Sequence, residues 1–142
     1  MNITIINGPN LNLLGTREPA VYGNSTFESF LNELRSRFPE NSFNYFQSNV
    51  EGELVNAIQE ADQKADVILM NPAAYSHTSI AIADAIGGIQ TPVIEVHISN
   101  VHARESYRQE LITGSKCVGV ISGLGLEGYA LAAQYAQGIT NR

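Results

Sequence analysis

The chain has 142 residues, of which 44% are hydrophobic and 15% charged, with a net charge of -6 at pH 7. A chain of this length buries roughly two thirds of its unfolded surface and folds without staples, so one domain spanning residues 1–142 is expected. The acidic balance argues against a nucleic-acid duplex as partner, because such a surface shows a basic stripe, but leaves room for a small polar or anionic ligand.

The first β-like run, "NITIIN" (2–7), starts at the N-terminus without a basic leader, and no apolar run approaches the ~20 residues of a membrane helix, so neither export nor membrane insertion is expected. "NGPNLNLLGTREPAVYG" (7–23) follows, too long for a plain connector and, with Leu11, Leu13, Leu14, Val21 and Tyr22, too apolar for disorder, which marks it as functional. A capping box of Ser25 with Glu28 opens a first helix whose stripe is Phe27, Phe30, Leu31, Leu34 and Phe38 before Pro39 stops it. "SFNYFQS" (42–48) reads as the second strand and 51–65 as a helix with Leu54, Val55, Ile58 and Ala61 inward. "DVILMN" (66–71), a helix in "SIAIADAIGG" ended by Gly87 and Gly88, "PVIEVH" (92–97), a helix over 100–111, "CVGVIS" (117–122) and "LEGYALAAQYAQ", opened near Gly125 and closed by Gly138, complete the series.

Strand alternating with helix implies a parallel sheet covered on both faces. The expected fold is therefore α/β: a flavodoxin-like, doubly wound, five-stranded parallel sheet in three αβα layers. Right-handed crossovers put every strand's C-terminal end on one rim, where Asn7, Ser48, Asn71, His97 and Ser122 stand and where open α/β sheets bind ligands.

On that rim, Glu95 and His97 are two residues apart on a strand and share a face, so the carboxylate can fix the imidazole's tautomer; a structural histidine at a strand end is the alternative. "NPAAYSHTS" offers Asn71 and His77, with Thr78 or Ser79 better read as helix caps. "HISNVHARESYRQE" places Ser99 where backbone donors could face an anion, and Arg104 and Arg108 four apart on one helical face, a pattern that most often marks a solvated face. In the first loop, Arg17 beside Tyr22 could favour tyrosinate and bring a phenol into range as a base; an anchoring Tyr and a surface Arg is the bland reading. The spacing of His77, His97 and His102 matches no metal signature, and Cys117 alone, inside an apolar run, reads as a buried thiol that suits the cytosol. No dinucleotide or P-loop fingerprint is present, strand three ends in Asn71 where a phosphoacceptor would need Asp, and Lys64 and Lys116 fall away from the rim, against Schiff-base chemistry.

Taken together, "NGPNLNLLGTREPAVYG", "QSNVEGELV", "NPAAYSHTS", "IEVHISNVHARESYR" and "VGVISGLGLEGY" closely resemble the type II 3-dehydroquinate dehydratases over almost the whole chain. The resemblance implies anti elimination of water from 3-dehydroquinate through an enolate, giving 3-dehydroshikimate in aromatic amino-acid biosynthesis, with no cofactor, metal or Schiff base. Carried over by position, Tyr22 resembles the base, Arg17 its activator, Asn10 the holder of a water at the enolate oxygen, and His97, oriented by Glu95, the acid. Asn71, His77 and Arg108 resemble ligands to substrate hydroxyls, the N–H groups of Ile98 and Ser99 the carboxylate site, and Arg104 a partner of the closing loop. The family's homododecamers, tetramers of trimers, imply that Asp84 reaches a neighbouring subunit's site. The segment 109–117, "QELITGSKC", departs from the family pattern, and only local packing or subunit contacts are expected to depend on it. The competing class is a flavodoxin-like module that binds a small anion or nucleotide at the same rim without catalysis.

Overall fold

In the computed structural model, which describes residues 1–16 and 26–140, five parallel strands form one sheet in the order β2-β1-β3-β4-β5. They are β1 (Asn2–Asn7), β2 (Ser42–Gln47), β3 (Val67–Asn71), β4 (Val93–His97) and β5 (Gly119–Ser122). This is the expected doubly wound order, in which the topology reverses between β1 and β3. Among the described residues four α-helices cover the sheet: α1 (Phe27–Arg37), α2 (Glu51–Ala61), α3 (Ile80–Gly88) and α4 (Glu127–Thr140).

Alternation along the strands divides the apolar residues between two cores. Ile3 and Ile5 of β1, Val67 and Leu69 of β3, and Ile94 and Val96 of β4 pack under α1 and α4. Ile6, Ile68, Met70 and Val93 face the other way, against Leu54 and Ile58 of α2 and Ile82 and Ile86 of α3. β3 and β4 are buried at every position, as central parallel strands must be, whereas the edge strands β2 and β5 are largely open. Truncating a fully buried side chain such as Leu34 or Ile58 to Ala costs about 2–5 kcal/mol.

Several boundaries differ from the sequence reading. The cap of α1 is Thr26, whose Oγ1 accepts from the Ser29 N–H at 3.2 Å, one register later than Ser25 with Glu28; Ser25 lies outside the described residues. α2 stops at Ala61 because Asp62 turns its carboxylate to the N–H groups of Gln90 and Thr91, at 3.1 and 3.0 Å, and Gln63 follows with φ 69°. Instead of a helix over 100–111 there are two short 3-10 turns, Val101–Ala103 and Ser106–Arg108, separated by Arg104 and Glu105 in extended conformation. The last helix runs through Gly138 to Thr140, since a glycine costs a helix only about 1 kcal/mol and the buried stripe Ala132, Ala133 and Ala136 holds it. β5 begins at Gly119, so Cys117 precedes the strand and is half-buried.

Candidate functional site

Four of the five polar strand ends, Asn7, Ser48, Asn71 and His97, are buried at the rim of the sheet, where the strand order reverses between β1 and β3. Ser48 and Ser122 serve as braces. The Ser48 hydroxyl donates to Glu53 at 2.6 Å and accepts from the Val50 N–H at 2.9 Å, which secures the entry to α2. The Ser122 hydroxyl donates to the Ser99 carbonyl at 3.2 Å and accepts from the Val101 N–H at 3.3 Å, fixing the loop after β4.

The chain leaves β1 through Gly8, whose N–H donates to the Asn71 carbonyl at 2.8 Å. A Cβ at Gly8 would stand 2.5 Å from the Pro72 carbonyl oxygen, so only glycine lets the loops after β1 and β3 run this close. Asn10 follows in the left-handed region at φ 71°, a conformation asparagine tolerates, with its N–H donating to Asn49 Oδ1 at 3.0 Å. Leu11 and Leu14 then bury into the core under α1, which anchors the near end of the loop. Arg17 and Tyr22 lie outside the described residues.

Asn71 is held from both sides: its Nδ2 donates to the Tyr129 hydroxyl at 3.1 Å, and its Oδ1 accepts from the Ala73 N–H at 3.0 Å. Ala73 takes φ 54°, strained for a residue with a Cβ and of a kind that gathers at functional sites. The Tyr129 hydroxyl in turn donates to Asn7 Oδ1 at 2.8 Å, and burial pushes the phenol well above its ordinary pKa, so it stays a protonated donor. Tyr129 is a site-supporting residue the sequence reading missed. Its place on the buried stripe with Ala132, Ala133 and Ala136, in the first turn of a helix that starts at the rim, is the signal that points to it.

His97 and Glu95 meet as expected, Nε2 to Oε2 at 2.8 Å, with Glu95 completely buried and His97 nearly so. A buried carboxylate accepts this bond from an Nε2–H, which assigns the proton to Nε2 and leaves Nδ1 as the other ring nitrogen. The second carboxylate oxygen, Oε1, accepts from the hydroxyl of Thr113, also completely buried. The His77 ring stands 6.4 Å from that of His97, nearly parallel, and its Nδ1 bonds the Glu110 carbonyl at 2.9 Å. Residues 109–117 therefore bond His77 directly and, through Thr113, the carboxylate that holds His97, which goes beyond the expectation that they matter only for packing or subunit contacts.

Asn10, Asn71, His97, Ile98, Ser99, Arg104 and Arg108 line one cleft, with Leu11, Leu14 and Ala73 among its apolar walls. Arg104 reaches it from the extended link between the two 3-10 turns and Arg108 from the end of the second, rather than from a shared helix face. Glu105 sits between them: its Oε2 accepts from Arg108 Nε at 2.8 Å and lies 3.9 Å from Arg104 Nε. Arg104 also donates to the Ser99 hydroxyl at 3.3 Å. Ser79 is the N-cap of α3, accepting from the Ile82 N–H at 2.9 Å, as the bland reading expected. Asp84 is exposed on α3 and does not line the cleft. Among the described residues no group of three His, Cys, Asp or Glu side chains could hold a metal ion, and no helix is long and apolar enough to cross a membrane.

Comparison with known proteins converges on one family. The model of the dehydroquinase class II family matches residues 1–137. Among curated relatives, the 3-dehydroquinate dehydratase of Clostridium botulinum (strain Hall) is 48% identical over 136 residues, covering 94% of this chain and 92% of its own. That of Helicobacter hepaticus is 53% identical over 135 residues, covering 93% and 85%. Among solved structures, the type II dehydroquinase of Butyrivibrio crossotus superposes with a TM-score of 0.92 at 42% identity, over 96% of this chain and 97% of the other.

Proposed function

Because the chain belongs to the dehydroquinase class II family, we propose that its rim cleft dehydrates 3-dehydroquinate to 3-dehydroshikimate, a hydro-lyase step of the shikimate pathway. The observation that carries this reading is the meeting, in one cleft, of the Glu95–His97 pair with Asn10, Asn71, the backbone at Ile98 and Ser99, and two arginines. Such a set suits a polyhydroxylated carboxylate: donors and acceptors for hydroxyls, cations and backbone N–H groups for the anion, and an imidazole for proton transfer. The competing module that binds an anion or nucleotide without chemistry is not favoured, since the relatives matched along almost the whole chain are dehydratases.

In the proposed reaction Tyr22, as tyrosinate favoured by Arg17, removes the proton from carbon 2. The electron pair moves into an enolate, whose oxygen is met by a water that Asn10 holds. The enolate then expels the hydroxyl on the opposite face as His97, in its imidazolium form, gives it the proton on Nδ1; the Nε2–H stays bonded to Glu95, and the imidazole is left neutral as water departs. Glu95 fixes the His97 tautomer and balances the charge of the imidazolium. Asn71, His77 and Arg108 hold hydroxyls, the N–H groups of Ile98 and Ser99 hold the carboxylate, and Arg104 joins the loop that closes over the site. No step draws on a cofactor. Residues 1–142 act as one catalytic domain, in the cytoplasm, within a homododecamer built as a tetramer of trimers. The outward direction of Asp84 supports its reaching a neighbouring subunit's cleft.

The purified protein mixed with 3-dehydroquinate should generate the ultraviolet absorbance of a conjugated enone, and borohydride treatment should not abolish it. Tyr22→Phe should remain folded and lose turnover by about 10²–10⁴-fold, the range for removing a general base. Product formation at the wild-type rate by that variant would remove Tyr22 from the mechanism.

A further inference from the structure

Within the reaction proposed above, on which this step rests, we infer that Thr113 is a positioning residue for the proton-donating pair, setting the direction of the Glu95 carboxylate and through it that of His97. A carboxylate rotates freely about its terminal bond unless both oxygens are engaged. Here Oε2 accepts from His97 Nε2 at 2.8 Å and Oε1 accepts from the Thr113 hydroxyl, so the plane of the group is fixed at two points. Loss of the second point would let Oε2 swing away from the imidazole, and the imidazole would lose both its orientation and its fixed tautomer.

The hydroxyl can do this because its own backbone is pinned on either side. Upstream, the Ile112 N–H donates to the Ser76 carbonyl at 2.8 Å; downstream, the Val118 N–H donates to the Val93 carbonyl at 2.8 Å. Between these anchors Thr113–Lys116 forms a 3-10 turn, in which the Cys117 N–H returns to the Gly114 carbonyl at 3.1 Å. The branched Cβ of threonine restricts the side-chain torsion, and the residue is completely buried. Gly114 completes the fit: a Cβ there would lie 3.4 Å from Glu95 Oε2 and 3.1 Å from the Val120 side chain. The same stretch bonds His77 through the Glu110 carbonyl, so one irregular segment braces His77 directly and His97 through Glu95.

The test compares Thr113→Val, which keeps the shape and removes the hydroxyl, with Thr113→Ser, which keeps the hydroxyl. In the dehydratase assay Thr113→Val should lose about 10–100-fold in kcat with KM changed by less than about 2-fold, while Thr113→Ser recovers to within about 3-fold of wild type. In a His97→Ala background, adding Thr113→Val should change kcat by less than about 2-fold, because a residue that acts through His97 has nothing left to act on. A merely structural role would predict the opposite pattern, with losses that multiply in the double variant and follow the folded fraction. Wild-type kcat from Thr113→Val, failure of Thr113→Ser to recover, or independent losses in the double variant would each overturn the inference. If Thr113→Val does not fold, Thr113→Ala is judged by the same criteria. Failure of the dehydratase reading itself would show as an inactive wild type. The inference is then decided by proton NMR: the downfield Nε2–H resonance of His97, identified by its loss in His97→Ala, should shift or broaden in Thr113→Val and persist in Thr113→Ser. An unaltered resonance in Thr113→Val counts against it.

Discussion

Two hydrogen-bonded networks reach the same cleft by different routes. Asn7, Asn71 and Tyr129 are neutral groups delivered by two strand ends and the first turn of α4, and each is buried. Glu95, His97 and Thr113 include an ionisable pair, delivered by one strand and by the first residue of a single 3-10 turn ahead of β5. The neutral network ties β1, β3 and α4 together across the switch point and so fixes the shape of the cleft. The ionisable one is aimed at the leaving side of the proposed reaction, and its cost of desolvation is offset only because every oxygen of the carboxylate has a donor. Shape and chemistry are thus separable here, and substitutions in the two networks should separate them.

The largest difference is expected at His97. His97→Ala removes the proposed acid, and turnover should fall by about 10²–10⁴-fold, read from the enone absorbance, while circular dichroism continues to report the α/β fold. A loss smaller than tenfold would assign the proton to another donor and leave the Glu95 pair a structural one.

Tyr129→Phe should invert that balance. It leaves Asn7 Oδ1 and one Asn71 N–H buried without their partner, a loss of about 1–3 kcal/mol that denaturant unfolding would measure, whereas kcat should drop by less than about tenfold. A larger effect on rate than on stability would mean that the neutral network also serves the chemistry, and the separation of shape from chemistry would fail.

The two networks also differ in how far sequence reveals them. Period-2 alternation places Asn7, Asn71 and Glu95 with His97 at predictable faces of β1, β3 and β4, and the structure brings them to one rim. The same regularity makes Tyr129 readable in hindsight from its helical stripe. Thr113 had no such signal, because a single four-residue 3-10 turn is too short to show a period and 18 residues separate it from Glu95. The missing helix over 100–111 has a related cause: Asn100 Oδ1 caps the His102 N–H at 3.1 Å and Glu105 is extended, local side-chain and backbone preferences that a helical spacing of two arginines conceals. Both arginines still reach the cleft, by a route the spacing did not describe.

Cys117 offers the finest probe of the ionisable network, since its thiol is pushed up to about 12 first by burial and then by the charge of Glu95. The folded protein therefore keeps this proton at a pH where the unfolded chain, with an ordinary thiol near 9, has released it. Unfolding then releases a proton, so stability is fully present below about pH 9 and declines as pH rises through the window to about 12. Cys117→Ala should flatten that decline, by a difference in slope of at most about 1.4 kcal/mol per pH unit between variant and wild type in denaturant unfolding across the window. Adding Glu95→Gln to each should shrink the difference, because the neutral amide removes the second cause of the shift while leaving the burial. A difference that is equal with and without the Glu95→Gln change would place the whole shift in burial and detach Cys117 from the network, whereas a reduced one would show that the charge beneath His97 is felt on the far side of the Thr113 turn.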